Sequence, residues 1–303
     1  MKLSIILPVY NGMPFLPDAV KSLLDQTFQD FIIYAIDNGS TDGSEEYLTG
    51  LNDRRLKYVR LEEKDLVKAL NKGLELSETP LIARMDSDDI SLTNRFQMQI
   101  DFLEKNPGIG LIGSCGVYLS SDGKKQFNIN VPSNHQDIIA TMLKSRNAIL
   151  HPSIMFRREI VTKYGGFSDI YPDCEDYEFF MRIGKNIRFA NLKERLHCMR
   201  IREGSIISDN IKRSLTQYYL ISQTYALQYS EKYKDIKSEG KAYLNLYQKM
   251  DVVSMSFYRK GLNYYLNKKA LIGLLYFAIA SLTNPLRFLR SIKMKVKSKL
   301  VPK

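Results

Sequence analysis

A chain of 303 residues, 44% of them hydrophobic, is long enough to bury a substantial core, as one large domain or as one domain with a smaller second one. The formal net charge of +11 favours an anionic partner, such as a phosphate-bearing substrate, an anionic lipid surface or a nucleic acid. The three cysteines show no CxxC spacing, which argues against a disulfide framework or a zinc site and is typical of a reducing cytosol.

Strands and helices alternate through the first third of the chain. Nearly continuous or alternating apolar runs predict strands over 3–9, 31–37, 56–61 and 81–86. Apolar residues at helical spacing predict helices over 14–27, 66–76 and 91–105. This alternation predicts an α/β fold with a mostly parallel sheet flanked by helices.

The pattern is less regular further along the chain. The segment 109–120 predicts a strand, 151–167 a strand followed by a short helix, and 174–185 a helix. From about residue 206 the composition becomes rich in Tyr, Lys, Leu and Ser and indicates helices without strands. We therefore expect one domain over 1–205 and a helical C-terminal region over 206–303.

Polar clusters follow three of the predicted strands: PVYN at 8–11, DNGS at 37–40 and DSDD at 86–89. Each cluster alone is compatible with a simple turn, because Asp, Asn, Gly and Ser are common turn residues. The carboxyl ends of parallel strands meet at one edge of a sheet, however, and ligands of α/β proteins bind there. Three clusters at such ends therefore indicate a binding site.

The DSDD cluster places three carboxylates close together. Asp86, Asp88 and Asp89 repel one another, which disfavours their ionised forms unless a positive charge lies among them. Mg²⁺ and Mn²⁺ prefer oxygen ligands and commonly bridge a few carboxylates to substrate phosphates. We therefore predict a Mg²⁺ or Mn²⁺ site held by Asp88, with Asp86 and Asp89 beside it.

Three segments resemble glycosyltransferase family 2 in their order and spacing: "SIILPVYNGMPFLPDAVKSLLDQTF", "AIDNGSTDGS" and "ARMDSDDISLTNRFQMQIDFLEKNP". The likeness extends over roughly residues 2–205. It implies a Rossmann-like GT-A fold, with a nucleotide-sugar half over about 1–115 and an acceptor half over about 116–205. By this resemblance, the residues that bind the nucleotide-sugar donor are Pro8, Tyr10, Asp37, Asn38, Asp86 and Asp88.

A second signature, "PDCEDYEFFMRIG" at 172–184, resembles the acidic segment of the same family. It implies that Asp176 is the general base, which takes a proton from an acceptor hydroxyl as that oxygen attacks the anomeric carbon. Glu175 beside it and His151, in "HPSIMFRRE", are weaker candidates for contact with the acceptor. Acidic residues are also favoured at any helix N-terminus, and a lone histidine is more often structural.

Two positions depart from the family pattern. Asn38 stands where many members have an aspartate that accepts the N–H of uracil, so the base could differ, although we expect a UDP-sugar. Arg202 stands where a histidine is common, and Arg200 or Arg202 could bind the diphosphate by charge. The Q-x-x-R-W motif of processive polysaccharide synthases does not follow, which indicates a non-processive enzyme.

The C-terminal region combines an apolar run with a basic segment. The run at 270–282 is shorter than the ~20 residues that cross a bilayer, and seven lysines and arginines without an acidic residue follow at 286–303. This order resembles a monotopic anchor on anionic lipid, although a core helix followed by a solvated end is the simpler alternative. No aromatic stacking pattern is interleaved with these lysines, so we expect no nucleic-acid partner.

The expected function is the inverting, metal-dependent transfer of a sugar from a nucleoside-diphosphate sugar to a hydroxyl of a glycan or polyprenyl-diphosphate-linked acceptor, in surface polysaccharide biosynthesis. We expect a cytoplasmic protein, peripheral on the inner face of the cell membrane. Two alternatives stay open. One is a sugar-nucleotide or glycan-binding module that has lost catalysis, and the other is a nucleotidyltransferase, which would release diphosphate from a nucleoside triphosphate.

Overall fold

The computed structural model describes residues 1–171, 173–201, 211–229, 246–267 and 269–284. Its contacts divide the chain into two compact units. The first unit comprises Met1–Tyr118 and Phe127–Arg200, and the second comprises Leu119–Gln126 and the described residues from Ile201 onward. The domain boundary expected near residue 205 lies outside the described residues and stays a prediction.

Half of the first unit's sheet is parallel. The strands β1 (Leu3–Val9), β2 (Phe31–Asp37), β3 (Leu56–Arg60) and β4 (Leu81–Arg84) lie in the order β3-β2-β1-β4, and each pairs in parallel with its neighbour. The helices between them are α1 (Leu16–Leu24), α2 (Ser44–Gly50) and α3 (Leu66–Leu76). All seven residues of β1 are buried, which explains its continuous apolar run.

Helix α3 packs unusually close to this sheet. It begins at the N-cap Asp65, whose side chain accepts the backbone N–H of Lys68. In its middle, a Cβ atom added to Gly73 would lie 2.5 Å from a methyl carbon of Ile6 in β1. Only glycine therefore allows this spacing between helix and strand.

The other half of the sheet contains antiparallel pairs. Its strands are β5 (Ile90–Ser91), β6 (Ile109–Ser120), β7 (Gln126–Ile129), β8 (Met155–Arg157) and β9 (Arg188–Ile201). The order continues as β4-β8-β6-β9-β5, with β7 against β6, which gives a nine-stranded sheet. Strand β8 is antiparallel to both β4 and β6, and β5 is antiparallel to β9. The helices of this half are α4 (Arg95–Lys105), α5 (His135–Met142), α6 (Glu159–Tyr164) and α7 (Glu175–Ile183).

The second unit contains helices, as the sequence predicts for this region. They are α8 (Ile211–Tyr229), α9 (Leu246–Leu266) and α10 (Ala270–Thr283). Helices α9 and α10 pack against each other, and the carbonyl oxygen of Gly261 would lie 2.8 Å from a Cβ atom added to Gly273. Within the described residues, none of the helices combines the length and the apolar character that a bilayer crossing requires.

Candidate active site

The loops that follow β1 and β2 are hydrogen-bonded to each other. The backbone N–H of Asn11 donates to Ser40 Oγ and that of Gly12 to Ser44 Oγ, each at 3.0 Å. Because β1 pairs with β2 on one side and with β4 on the other, the strand order reverses here. Such a switch point forms a crevice at the carboxyl ends of the strands, where α/β proteins bind ligands. The predicted donor-binding residues lie in or just after β1, β2 and β4.

Asp37, at the end of β2, is fully buried and its carboxylate is occupied within the protein. One oxygen accepts the N–H of Ser40 at 3.0 Å, and the other accepts the Tyr58 hydroxyl at 2.9 Å and an N–H of Arg60 at 3.0 Å. Burial, together with the hydrogen bond to Asp37, raises the pKa of Tyr58 to about 12. Asp37 therefore holds the loop in shape, and direct contact with a donor stays a prediction.

Asn38 has a fixed side-chain orientation. Its Oδ1 accepts the backbone N–H of Asp65 at 2.8 Å, so the other end of the amide must be the NH₂ group. Asn38 is 3% exposed, and its NH₂ group has no partner in the described part of the chain and is not sealed from solvent. Nearby at the end of β1, Tyr10 is half-buried beneath the Lys64 ammonium, 4.2 Å from the ring centroid, while Pro8 is buried within the strand.

Two arginines contact the acidic cluster that follows β4. Asp86 forms a two-pronged ion pair with the buried Arg84, with N–O distances of 3.0 and 2.5 Å. The backbone oxygen of Asp88 accepts Nε of Arg200 at 2.9 Å. The Arg200 guanidinium in turn lies 4.6 Å above the Phe15 ring. Asp86 and Asp88 are both half-buried and reach solvent.

Asp89 instead belongs to a buried network on the inner side of the cluster. Its Oδ2 lies 2.7 Å from Nε2 of His197, and its Oδ1 accepts the backbone N–H of Arg200 at 2.9 Å. The Arg95 guanidinium reaches the other imidazole nitrogen at 3.5 Å. Because arginine only donates, Nδ1 must accept and Nε2–H must donate to Asp89. The His197 imidazole thus bridges the buried side chains of Asp89 and Arg95.

Burial shifts all three groups of this network toward their neutral forms. It raises the pKa of Asp89 well above its ordinary value and lowers the pKa of His197 well below its own. It also lowers the pKa of Arg95 to about 9. Since both oxygens of Asp89 are engaged, binding a metal there would require one of these bonds to break. A divalent cation held by Asp88 and Asp86 stays a prediction.

Removing His197 should strongly destabilise the fold. In a His197→Ala variant Asp89 and Arg95 lose their bridge, which should lower the free energy of unfolding by about 3–5 kcal/mol. Urea titration followed by circular dichroism measures this loss. His135→Ala is the matched control, because His135 is only half-buried and accepts one N–H, from Phe189. Equal stability of the two variants would contradict the bridging role.

A second group of titratable side chains lies around the first turn of α7. His151, Glu175 and Asp176 each place a nitrogen or oxygen atom within 4.8 Å of those of the others. Asp176 is 13% exposed, accepts Nδ2 of Asn147 at 3.1 Å, and lies 3.8 Å from Nδ1 of His151. The His151 ring packs against Phe167 and Phe180.

The surroundings of Glu175 and Asp176 shift the pKa values of the two acids differently. Burial, reinforced by the charge of Asp176, raises the pKa of Glu175 to about 8, so Glu175 is largely protonated at neutral pH. Burial also raises the pKa of Asp176, while the Tyr177 N–H, Arg84 and Asn147 oppose the rise. Burial lowers the pKa of His151 well below its ordinary value. The result is a neutral acid beside a carboxylate, an arrangement suited to acid–base chemistry.

Arg84 connects the two acidic groups electrostatically. It pairs with Asp86 directly, and its charge also lowers the pKa of Glu175 and Asp176. The charge of Asp86 in turn raises the pKa of Glu175. The structure therefore brings the predicted base within electrostatic reach of the DSDD cluster. Reasoning from sequence missed Arg84 and Asn147, although an arginine two residues before an acidic cluster is a visible signal. Arg202 lies outside the described residues.

Known proteins resemble this chain in sequence and in structure. The family model "Glycosyl transferase family 2" matches residues 4–165. The O-antigen biosynthesis glycosyltransferase WbnJ of Escherichia coli is 30% identical over 225 residues, which cover 72% of this chain and 84% of that protein. The amylovoran biosynthesis glycosyltransferase AmsE of Erwinia amylovora is 32% identical over 209 residues, which cover 67% and 76%.

Two solved structures share the fold. TarS of S. aureus (residues 1–349), crystallised with UDP-GlcNAc, aligns with a TM-score of 0.55 and 17% identity over 92% of this chain and 90% of that one. The mannosyltransferase PcManGT of Pyrobaculum calidifontis, in complex with GDP-Man and Mn²⁺, aligns with a TM-score of 0.56 and 16% identity over 99% and 81%. The expected GT-A type of α/β fold, with helices in the C-terminal region, is confirmed. The chain belongs to glycosyl transferase family 2 and is a glycosyltransferase.

Proposed function

We propose that this enzyme transfers a sugar from a nucleoside-diphosphate sugar to an acceptor hydroxyl with inversion at the anomeric carbon, and that Asp176 is the general base. The observation that carries the proposal is the placement of Asp176, a nearly buried carboxylate beside a neutral Glu175 and across Arg84 from Asp86. A buried carboxylate with a raised pKa holds a proton more readily than an exposed one, which favours proton abstraction near neutral pH.

The proposed reaction is a single displacement. The acceptor oxygen attacks the anomeric carbon from the face opposite the diphosphate, while Asp176 takes the hydroxyl proton. The bond between the anomeric carbon and the diphosphate oxygen breaks, and the nucleoside diphosphate leaves with the electron pair. Asn147 holds Oδ2 of Asp176, which fixes the orientation of the carboxylate. A protonated Glu175 adds no second negative charge next to the base.

The donor side supplies charges for the leaving diphosphate. Asp88 reaches solvent, and a Mg²⁺ or Mn²⁺ ion typically uses one or two such carboxylates together with substrate phosphates, so Asp88 fits a divalent cation. Asp86, whose two oxygens pair with Arg84, would have to give up one of these bonds to join it. When bound, the ion would neutralise negative charge that develops on the diphosphate. Arg200, held between Asp88 and the Phe15 ring, is the cation of the chain that we assign to the same diphosphate.

We infer that the protein recognises the nucleobase of the sugar nucleotide through an N–H group. Because Oδ1 of Asn38 is committed to Asp65, only the NH₂ group can meet the nucleotide. A carbonyl oxygen of uracil satisfies an NH₂ group, so a UDP-sugar remains the first candidate. The TarS and PcManGT structures hold donors that carry different bases.

An Asn38→Asp variant should change base preference. One carboxylate oxygen can keep the Asp65 N–H, and the other can accept the imino N–H that uracil has and cytosine lacks. We expect the ratio of UDP to CDP affinities to rise roughly tenfold, the equivalent of one hydrogen bond. Calorimetric titration measures it, with Asn52→Asp, an exposed position, as the charge-matched control. An unchanged ratio would show that Asn38 does not face the base.

The relatives indicate the biological setting. WbnJ and AmsE are named for O-antigen and amylovoran biosynthesis. We infer that this enzyme also acts in surface polysaccharide biosynthesis, on a glycan carried by a polyprenyl diphosphate. Such acceptors lie at the inner face of the cell membrane, which is consistent with a cytoplasmic enzyme that is peripheral on an anionic lipid surface.

One experiment tests the proposed function. Purified protein is incubated with a panel of UDP-, GDP- and CDP-sugars, with Mn²⁺ or with a chelator, and release of nucleoside diphosphate is measured. We expect slow metal-dependent hydrolysis of one donor, accelerated by the correct acceptor. Release of inorganic diphosphate from a nucleoside triphosphate would identify a nucleotidyltransferase instead. Binding of a donor without any release, with every acceptor preparation, would favour the inactive binding module.

A further inference from the structure

Helix α10 uses one face to pack against α9. Gly273, Tyr276, Phe277 and Ala280 lie three or four residues apart and therefore on one side of the helix. Tyr276 stacks on Tyr264 at 5.3 Å between ring centroids, and Phe277 contacts Tyr258 at 5.3 Å. The carbonyl oxygen of Ala280 accepts the Ser254 hydroxyl at 2.8 Å. These contacts join α9 and α10 into an antiparallel pair, the α9–α10 hairpin.

The opposite side of α10 is apolar and exposed. Its leucine face consists of Leu271, Leu274, Leu275 and Leu282, which are 84%, 53%, 61% and 80% exposed. No charged residue occurs anywhere in α10. Single exposed leucines are ordinary on protein surfaces, but a continuous row of them along a helix indicates an interaction site.

We propose that the leucine face binds an anionic membrane surface with α10 lying in the plane of the interface. A 14-residue helix is roughly 21 Å long, too short for the ~30 Å hydrocarbon core of a bilayer, so it cannot cross. A helix that lies on the surface instead places its exposed apolar side among the acyl chains and its other side toward the protein.

The positive charge of the chain favours an anionic lipid surface, rather than a second copy of the chain, as the partner of the leucine face. The sequence runs from α10 into the basic segment 286–303, which contains no acidic residue and seven cations: Arg287, Arg290, Lys293, Lys295, Lys297, Lys299 and Lys303. Lys269, just before α10, is exposed as well. Each copy carries a formal net charge of +11, and like charges oppose the association of two copies through their leucine faces. An anionic bilayer satisfies both the leucines and the lysines.

Vesicle sedimentation tests the proposal directly. The full chain is mixed with vesicles of phosphatidylcholine alone or with about a third phosphatidylglycerol, and the bound fraction is measured at low and high salt. We expect wild type to bind the anionic vesicles at least roughly tenfold more tightly than the neutral ones. The triple variant Leu271→Ser, Leu275→Ser and Leu282→Ser should lose this binding by at least roughly tenfold. Replacing Lys293, Lys295, Lys297 and Lys299 by glutamine should remove most of the preference for anionic lipid.

A control variant shows whether the position of the leucines matters or only their apolar character. Ile170→Ser removes an equally exposed apolar side chain, at 73% exposure, from the other unit and should bind vesicles like wild type. The triple variant changes only exposed side chains, so its circular dichroism spectrum should match wild type. Wild type that stays in the supernatant with anionic vesicles at low salt, or a triple variant that binds unchanged, would overturn the proposal. So would a wild-type dimer that the triple variant converts to monomer, because a second copy would then be the occupant.

The biological purpose of membrane binding by the leucine face rests on the proposed function, but the binding itself does not. Vesicle binding requires neither donor nor acceptor, so the two can fail separately. If the protein sediments with vesicles but releases no nucleoside diphosphate, membrane binding by the leucine face is supported and the proposed reaction is contradicted. If the protein releases nucleoside diphosphate but does not sediment, the proposed reaction is supported and membrane binding is contradicted.

Discussion

An Asp176→Asn variant is expected to lose turnover by about 10³–10⁴-fold while its affinity for the nucleotide-sugar donor stays the same. The amide cannot take a proton from the acceptor, but it has the same shape and can still accept Nδ2 of Asn147. We expect donor affinity to be retained because the predicted donor residues lie across Arg84, around Asp86 and Asp88. Initial rates with saturating donor and acceptor, combined with calorimetric titration of the nucleoside diphosphate, separate the two effects. A variant with wild-type turnover would remove Asp176 from the mechanism.

The pH dependence adds an independent check on Asp176. The base must be ionised to act, and burial raises its pKa, so wild-type activity should fall with decreasing pH at a higher pH than an exposed aspartate would allow. Glu175→Gln is the matched control, because Glu175 has a pKa of about 8 and is largely neutral at pH 7. We expect this variant to stay within roughly tenfold of wild-type turnover at pH 7, since it changes no charge there. Its profile should also lack any inflection that Glu175 ionisation causes near pH 8.

The parallel half of the sheet could be predicted from the sequence because each of its strands is marked by its own apolar run. Strand β1 is buried over its whole length, and its apolar run is therefore continuous. The predicted helix over 91–105 begins only at Arg95, because Ile90 and Ser91 pair with Cys198 and His197 of β9. That pairing joins residues more than a hundred positions apart, and no local pattern reports it.

The candidate site also has features that the local sequence predicts and features that only distant contacts decide. Its acidic residues follow strands and could be found from spacing, but the role of each depends on partners from distant segments. Asp89 was grouped with Asp86 and Asp88 as a metal-site residue, whereas its partner His197 lies 108 residues further on. Similarly, the burial that raises the pKa of Glu175 comes from the packing of α7 against the rest of the unit. Spacing identifies which residues carry chemistry, and tertiary contacts decide which chemistry each performs.

An Asp88→Asn variant should lower the ratio of turnover to KM by about 10²–10³-fold and abolish the dependence of diphosphate binding on Mn²⁺. Asp88 reaches solvent, and the bond that Arg200 makes there goes to its backbone oxygen, which the substitution keeps. We expect the loss to appear as a metal effect, and circular dichroism checks that the fold is kept. Titration of the nucleoside diphosphate with Mn²⁺ and with a chelator measures it.

Two further substitutions separate a metal ligand from a merely acidic neighbour. Asp30→Asn is the matched control, because Asp30 is 61% exposed and precedes β2, at the end of the strand remote from the site. It should leave both Mn²⁺ dependence and turnover unchanged. Asp89→Asn should instead reduce stability, because it weakens the bridge to His197 and Arg95. If Asp88→Asn binds the diphosphate with wild-type Mn²⁺ dependence, Asp88 does not hold the metal. In that case the charge for the departing diphosphate must come from Arg200 and other cations of the chain.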